Sequence, residues 1–240
     1  MGHFPVSVLS ITSIARVTDK QTENREVFMS PASYRFFQRP SIVELLRHCG
    51  RSRYRPHSTL IHQGTISDRL YLLLRGSVSV VEEDSDGREL ILAYLNPSDF
   101  IGEMGLFLEA PQRSAWIRTR TTCEFAEISY KRFARLQTEH PVVLQPLLEQ
   151  IACRLRDTNR RFRSLAFEDV RGRVTATLHD LADQPDAMTH PDGMQLKVTR
   201  IELGRLVGCS REMVGRVLRD MEDERLISAK GRTIVVHAAD

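Results

Sequence analysis

The apolar residues of this chain change their spacing along its length. From 144 to 165 large ones recur at Leu144, Leu148, Ile151, Leu155, Phe162 and Leu165. The steps alternate between four and three residues, with Thr158 filling the slot between Leu155 and Phe162. That alternation predicts a helix presenting a narrow a/d seam to a partner helix. The run is only about three heptads long, so an ordinary amphipathic helix of a single-chain domain stays open beside it. The polar pair Thr158-Asn159, in and beside the seam, suits control of register or a bound group.

Upstream of the seam the pattern is that of strands. Apolar runs at 59–61, 70–74, 78–81, 90–95, 115–118 and 123–128 are separated by turn signals at Gln63-Gly64, Arg75-Gly76, Asp86-Gly87 and Pro97-Ser98-Asp99. Short strands at this spacing predict an antiparallel barrel or roll. A short helix over 41–49 precedes it, and 130–136 starts helical structure again. Residues 1–40 show no sustained periodicity and read as an N-terminal extension, partly disordered, with 1–28 the loosest part.

Downstream, Ala166-Phe167-Glu168-Asp169 reads as a hinge. A helix follows with Val170, Val174, Leu178 and Leu181 on one face, ending before Pro185. Residues 186–193 are polar and read as an exposed loop, and 195–198 as a short strand. Thr199-Arg200-Ile201-Glu202 has the form of a capping box. The helix it opens ends at Gly208, and Ser210 is placed to cap a second one. Helix, glycine-containing turn and helix form the helix-turn-helix outline, and 226–236 adds a two-stranded wing. The expected architecture is α+β: an extension (1–40), a β-roll (41–136), a dimerisation helix (137–167) and a winged helix-turn-helix (168–240).

Composition narrows little. The 240 residues allow one or two domains, and 27% charged with 41% hydrophobic residues is ordinary for a globular protein. A net charge of +3 is mild, so the placement of charge decides about nucleic acid. Cys49, Cys123, Cys153 and Cys209 are scattered, which points to neither a zinc site nor a disulfide framework. Reduced thiols in a cytoplasmic protein are the expectation. No apolar run approaches the ~18–20 residues of a membrane helix, and no basic segment marks a signal peptide.

Two stretches carry chemistry. Around the second helix of the helix-turn-helix, Arg211, Glu212, Gly215, Arg216 and Arg219 fall within an arc of about 140°. Val214, Val217, Leu218 and Met221 lie opposite. Arginine suits the O6/N7 edge of guanine, and glutamate accepts from the cytosine amino group. Thr199, Arg200 and Ser210, at the two helix starts, join them as expected DNA contacts. In the β region, Gly102-Glu103-Met104-Gly105-Leu106-Phe107 precedes Arg113-Ser114. A glycine after a strand lets backbone amides approach an anion. Arg113 and Ser114 can bond a phosphate, and Glu103 can accept from sugar hydroxyls. A phosphorylated sugar fits these residues; a plain glycine turn with a surface arginine fits them too. No paired acid and base, metal cluster or activated nucleophile points to an enzyme.

In Gly102-Glu103 with Arg113-Ser114, and in the run Val207-Gly208-Cys209-Ser210-Arg211-Glu212, the chain resembles the cyclic-AMP-sensing branch of the CRP/FNR family of transcription regulators. The likeness spans roughly 54–236 and includes 95–96, 99–107, 113–116, 126–130, 184–195 and 207–217. It implies a homodimer that binds double-stranded DNA and RNA polymerase, mainly as an activator, under control of cyclic AMP. Gly102, Glu103, Arg113 and Ser114 match the family's cyclic-nucleotide pocket. There Glu103 takes the ribose 2′-hydroxyl, and Arg113 and Ser114 the cyclic phosphate. Thr158 matches the seam residue that meets the adenine, and Asn159 stands where the prototype has a serine reaching the other subunit's ligand. Arg211, Glu212 and Arg216 match the readers of a TGTGA-type half-site, and Thr189 a polymerase-contacting surface. Gly50 and Ser52 replace histidines of a second such surface. The clustered cysteines of the iron-sulfur branch are absent. The alternatives are control by cyclic di-GMP, as in the Clp branch, or no ligand; the Arg113-Ser114 pair favours cyclic AMP.

Overall fold

A computed structural model describes residues 31–108 and 112–238; the expectations for 1–30 lie outside it. The chain opens with α1 (Pro31–Phe37) and α2 (Pro40–Arg47). Helix α1 falls where the sequence shows no period, because one side chain, Phe37, carries its packing into the core. Eight strands follow: β1 (Gly50–Tyr54), β2 (Thr59–Ile61), β3 (Arg69–Arg75), β4 (Val78–Glu83), β5 (Glu89–Leu95), β6 (Phe100–Ile101), β7 (Trp116–Thr119) and β8 (Cys123–Ser129). They make two antiparallel sheets, ordered β1-β8-β3-β6 and β2-β7-β4-β5, with a short helix α3 (Met104–Phe107) after β6.

The roll has two cores. Tyr71, Leu73, Val78, Ile117 and Phe125 fill the space between the sheets. Leu70, Leu72 and Leu74 point the other way, against Ile42, Leu45 and Phe133 of the flanking helices. Strand β3 is therefore apolar on both faces and shows no alternation. Strand β1 was not visible in the sequence. It is a polar edge strand, and its register on β8, Gly50 opposite Glu127, comes from a partner more than seventy residues away.

After α4 (Tyr130–Glu139) the chain breaks at His140-Pro141 and makes a single 3-10 turn over Pro141–Leu144. The long helix α5 (Gln145–Phe167) starts there, eight residues later than the domain expectation. Proline at its first turn lacks the N–H an interior position needs. Four residues of the a/d stripe are laid bare: Leu155 is 62% exposed and Phe162 75%, and Leu148 and Leu165 are exposed as well. Ile151 is half-buried, and Leu144 falls in the 3-10 turn before α5, packed against the core of the roll.

The reader follows as α6 (Val170–Ala182), β9 (Met188–His190), β10 (Gly193–Lys197), α7 (Arg200–Val207), α8 (Arg211–Asp223), β11 (Ile227–Lys230) and β12 (Thr233–His237). The hinge is two capping residues. Glu168 closes α5, and Asp169 caps α6 by accepting from the Gly172 amide at 2.8 Å. The stretch 186–193, expected as a loop, contributes β9, the edge of the sheet β11-β12-β10-β9. It pairs with β10 while burying almost nothing, which is why hydrophobic pattern missed it. The four cysteines are free, and burial pushes the Cys49 thiol up to about 12. Among the described residues no helix is long and apolar enough to cross a membrane.

Candidate ligand pocket and nucleic-acid interface

The pocket is assembled around one buried arginine. Gly102 ends β6 with φ +87°, a conformation that favours glycine, and a Cβ there would overlap Arg113 Nη1. Arg113 is only 8% exposed. Its Nη2 donates to the Arg69 carbonyl at 2.8 Å and its Nη1 to the Tyr130 hydroxyl at 3.3 Å. Tyr130 in turn donates to the Gly102 carbonyl and bonds Ser67. A guanidinium has five donors, so these two bonds leave others for an anion while fixing the plane of the fork. Ser114, next in the chain, is exposed, with its Oγ 3.5 Å from Met104 Sδ.

Glu103 is 7% exposed and paired with Arg154 of α5. Arg154 also donates to the Phe100 carbonyl at 2.7 Å. One turn earlier, the Gln150 amide side chain accepts from Phe100 N and donates to Phe100 O. One face of α5 thus holds the strand that leads into the pocket. Arg154 was not picked out from the sequence. Its only signal was position, one helical turn before Thr158. Tyr71 and Tyr130, both about 6 Å from the Arg113 guanidinium, were likewise missed. Burial pushes the Tyr71 hydroxyl above the usual phenol range, so it stays neutral beside the arginine.

The structure brings Gly102, Glu103, Arg113 and Ser114 to one place. Thr158 and Asn159 are exposed on α5. Thr158 is turned about 40° from Arg154, onto the same side as the pocket. Asn159 is turned about 140° from it, away from its own roll. Among the described residues no group of three or more His, Cys, Asp or Glu is placed to hold a metal.

The reader's surface is built by two caps and two glycines. Thr199 accepts from the Glu202 amide at 3.1 Å while the Glu202 carboxylate accepts from Thr199 N, closing the box at α7. Gly208 ends α7 at φ +73°, and Gly204 lets the turn pass, since a Cβ there would lie 2.7 Å from the Cys209 carbonyl. Ser210 then caps α8 by accepting from Met213 N at 3.2 Å. Val214, Val217, Leu218 and Met221 are buried. Arg200, Arg211, Glu212, Arg216 and Arg219 are exposed. Among the described residues the arginines of this face make no salt bridge with the protein, which leaves them available to an outside partner. The Glu212 carboxyl is held below its usual range by its own backbone N–H and by Ser210, then by Arg211 and Arg216. It therefore presents an acceptor. Thr189 is exposed on β9, at the far edge of the same sheet.

Residues 51–140 match the cyclic nucleotide-binding domain model and 172–240 the Crp-like helix-turn-helix model. The cAMP-activated global transcriptional regulator CRP of Salmonella typhimurium is 54% identical over 198 residues, 82% of this chain and 94% of that one. The chain belongs to the CRP family of transcription regulators. The cAMP-activated regulator Vfr of Pseudomonas aeruginosa is 53% identical over 196 residues, 80% of this chain and 92% of its own. Among solved structures, the c-di-GMP responsive global regulator CLP of Xanthomonas campestris superposes with a TM-score of 0.78 at 45% identity, covering 83% of this chain and 99% of that one. The family settles the class. This is a transcription regulator with a cyclic-nucleotide-binding domain and a DNA-binding helix-turn-helix, and it is not an enzyme.

Proposed function

We propose that this regulator works as a cytoplasmic homodimer that binds cyclic AMP and then TGTGA-type palindromes, acting mainly as an activator through RNA polymerase. The carrying observation is the division of α5. One face of it holds Glu103 through Arg154, and the neighbouring face leaves the seam residues Leu148, Leu155, Phe162 and Leu165 exposed. Two chains paired along that seam bring each Asn159, turned away from its own roll, toward the partner's ligand. Thr158 meets the base of its own ligand, Arg113 and Ser114 hold the cyclic phosphate, and Glu103 accepts from the ribose. Cyclic AMP is favoured because the Arg113-Ser114 pair is kept, and because relatives at 54% and 53% identity are named for activation by it.

In the DNA complex Arg211 and Arg216 bond guanine edges, Glu212 accepts from cytosine, and Thr199, Arg200, Ser210 and Arg219 hold the backbone. The two recognition helices must lie about 34–36 Å apart to meet successive major grooves. Thr189, on an exposed edge strand away from α8, is free to touch polymerase. The resemblance to CLP supports a second reading, control by cyclic di-GMP.

Fluorescence anisotropy of a duplex carrying TGTGA-N6-TCACA, at fixed salt, tests the reading with no ligand, with cyclic AMP and with cyclic di-GMP. Tight binding only with cyclic AMP is expected. Binding without ligand that cyclic di-GMP releases would establish the second reading instead. In the same assay Arg211→Ala should cost roughly 1–3 kcal/mol and relax preference at one base pair. An equal loss on every sequence would remove Arg211 from base reading.

A further inference from the structure

Sensor and reader meet along β5, at a set of contacts that belongs to neither binding site. Tyr94 of β5 packs its ring against the reader's core and donates its hydroxyl to the Glu202 carboxylate. Arg120, in the turn after β7, lies over that ring with its guanidinium carbon 3.8 Å from the centroid. From there it reaches Asp186 at 3.1 Å, the Ser77 hydroxyl at 3.2 Å and Glu202 at 3.9 Å. Two outer pairs flank this centre. Arg205 meets Glu89 at 2.7 Å, and Asn96 donates to Gln184 at 2.7 Å.

Glu202 has two tasks. One carboxylate oxygen accepts from Thr199 N in the capping box that starts α7. The other is held by the sensor. The group that shapes the first helix of the DNA reader is therefore also gripped by the β-roll. An isolated surface ion pair would add little. Here the side chains of Arg120 and Glu202 are 20% and 28% exposed, and the members share partners, which makes the bonds count for more. Burial, and then the Glu202 carboxylate at its hydroxyl, lifts Tyr94 far above the usual phenol range. Tyr94 thus remains a donor.

Coupling between two sites requires an element whose arrangement both can bias. Strand β5 is so placed. The carbonyl of Leu92 accepts from Arg161 of α5, the helix that holds Glu103 through Arg154. Two residues further on, Tyr94 holds α7. Contacts run unbroken from pocket to capping box: Glu103, Arg154, α5, Arg161, β5, Tyr94, Glu202.

We infer that Tyr94, Arg120 and Glu202 are positioning residues that set the reader's orientation on the sensor, and with it how strongly bound ligand changes DNA affinity. None of them is among the residues assigned above to the ligand or to DNA. The inference rests on the proposed function for its ligand. Two full-length variants test it: Tyr94→Phe combined with Arg120→Gln, and Glu202→Gln. Glutamine can still close a capping box, so α7 keeps its start.

Calorimetry should find that both variants still bind cyclic AMP, since no pocket residue is altered. Anisotropy should find that the ratio of DNA affinities with and without saturating cyclic AMP changes by roughly tenfold from that of the parent chain. A parental ratio in both variants would overturn the assignment. Trypsin cleavage at Arg171 and Arg173, in the first turn of α6 just past the hinge, gives a readout free of ligand, and both variants should be cut several-fold faster. If the parent chain ignores every cyclic nucleotide, the ligand reading fails by itself and cleavage decides the joint: the parental rate in both variants would overturn it.

Discussion

Replacing Arg113 by alanine is expected to weaken cyclic AMP binding by roughly a hundredfold to a thousandfold. Burial sets the size of the effect. The guanidinium sits in a nearly closed site, its plane fixed by the Arg69 carbonyl and the Tyr130 hydroxyl, against a glycine with no side chain to intervene. A phosphate entering there loses its water and needs a cation in return. Without one, a buried charge is left unpaired, at a cost of about 3–5 kcal/mol. Arg113→Lys should recover only part of the loss, because an ammonium keeps the charge but not the fork. Titration calorimetry measures both, and circular dichroism checks that the variants fold. Parental affinity in Arg113→Ala would mean the phosphate binds elsewhere.

A comparable loss is expected from Leu155→Glu combined with Phe162→Glu, read as dissociation of the proposed dimer. These side chains are 62% and 75% exposed in the single chain, and burying each stabilises a pair by about 1.5–3 kcal/mol per copy. In a parallel pair, seam residues face their own copies across the two-fold axis. Each substitution would then set two carboxylates against each other in a desolvated seam. Sedimentation velocity at micromolar concentration should show monomer in place of dimer. DNA affinity should fall with it, because one reader reaches only one half-site. A dimer that persists would place the interface off the seam.

How much of this was legible depends on where the determining partner sits. The seam of α5 and the face of α8 were readable because helical periodicity is local: side chains three and four apart share a side whatever lies beyond. The same holds for the capping box at Thr199 and the serine cap at Ser210, which close over three residues. Strands β2, β3, β4, β5, β7 and β8 were readable from apolar runs between turn residues. Strands β1 and β9 were not, because each is a polar edge whose conformation is imposed by a neighbour. At the pocket, Gly102, Glu103, Arg113 and Ser114 stood out by residue type and by family likeness. Arg154 lies 51 positions from Glu103, and no spacing rule links them.

The sequence by itself determined the helix with its apolar seam, the capped helix-turn-helix with an arginine face, and the residue types of a phosphate pocket. Each follows from short-range sterics, capping and the 3.6-residue turn. Only the tertiary structure decided which arginine neutralises Glu103, which side of α5 faces the roll, and that Tyr94 and Arg120 grip the capping carboxylate of the reader. These pairings span up to 108 residues, and they form because a buried or half-buried charge must find a partner in space.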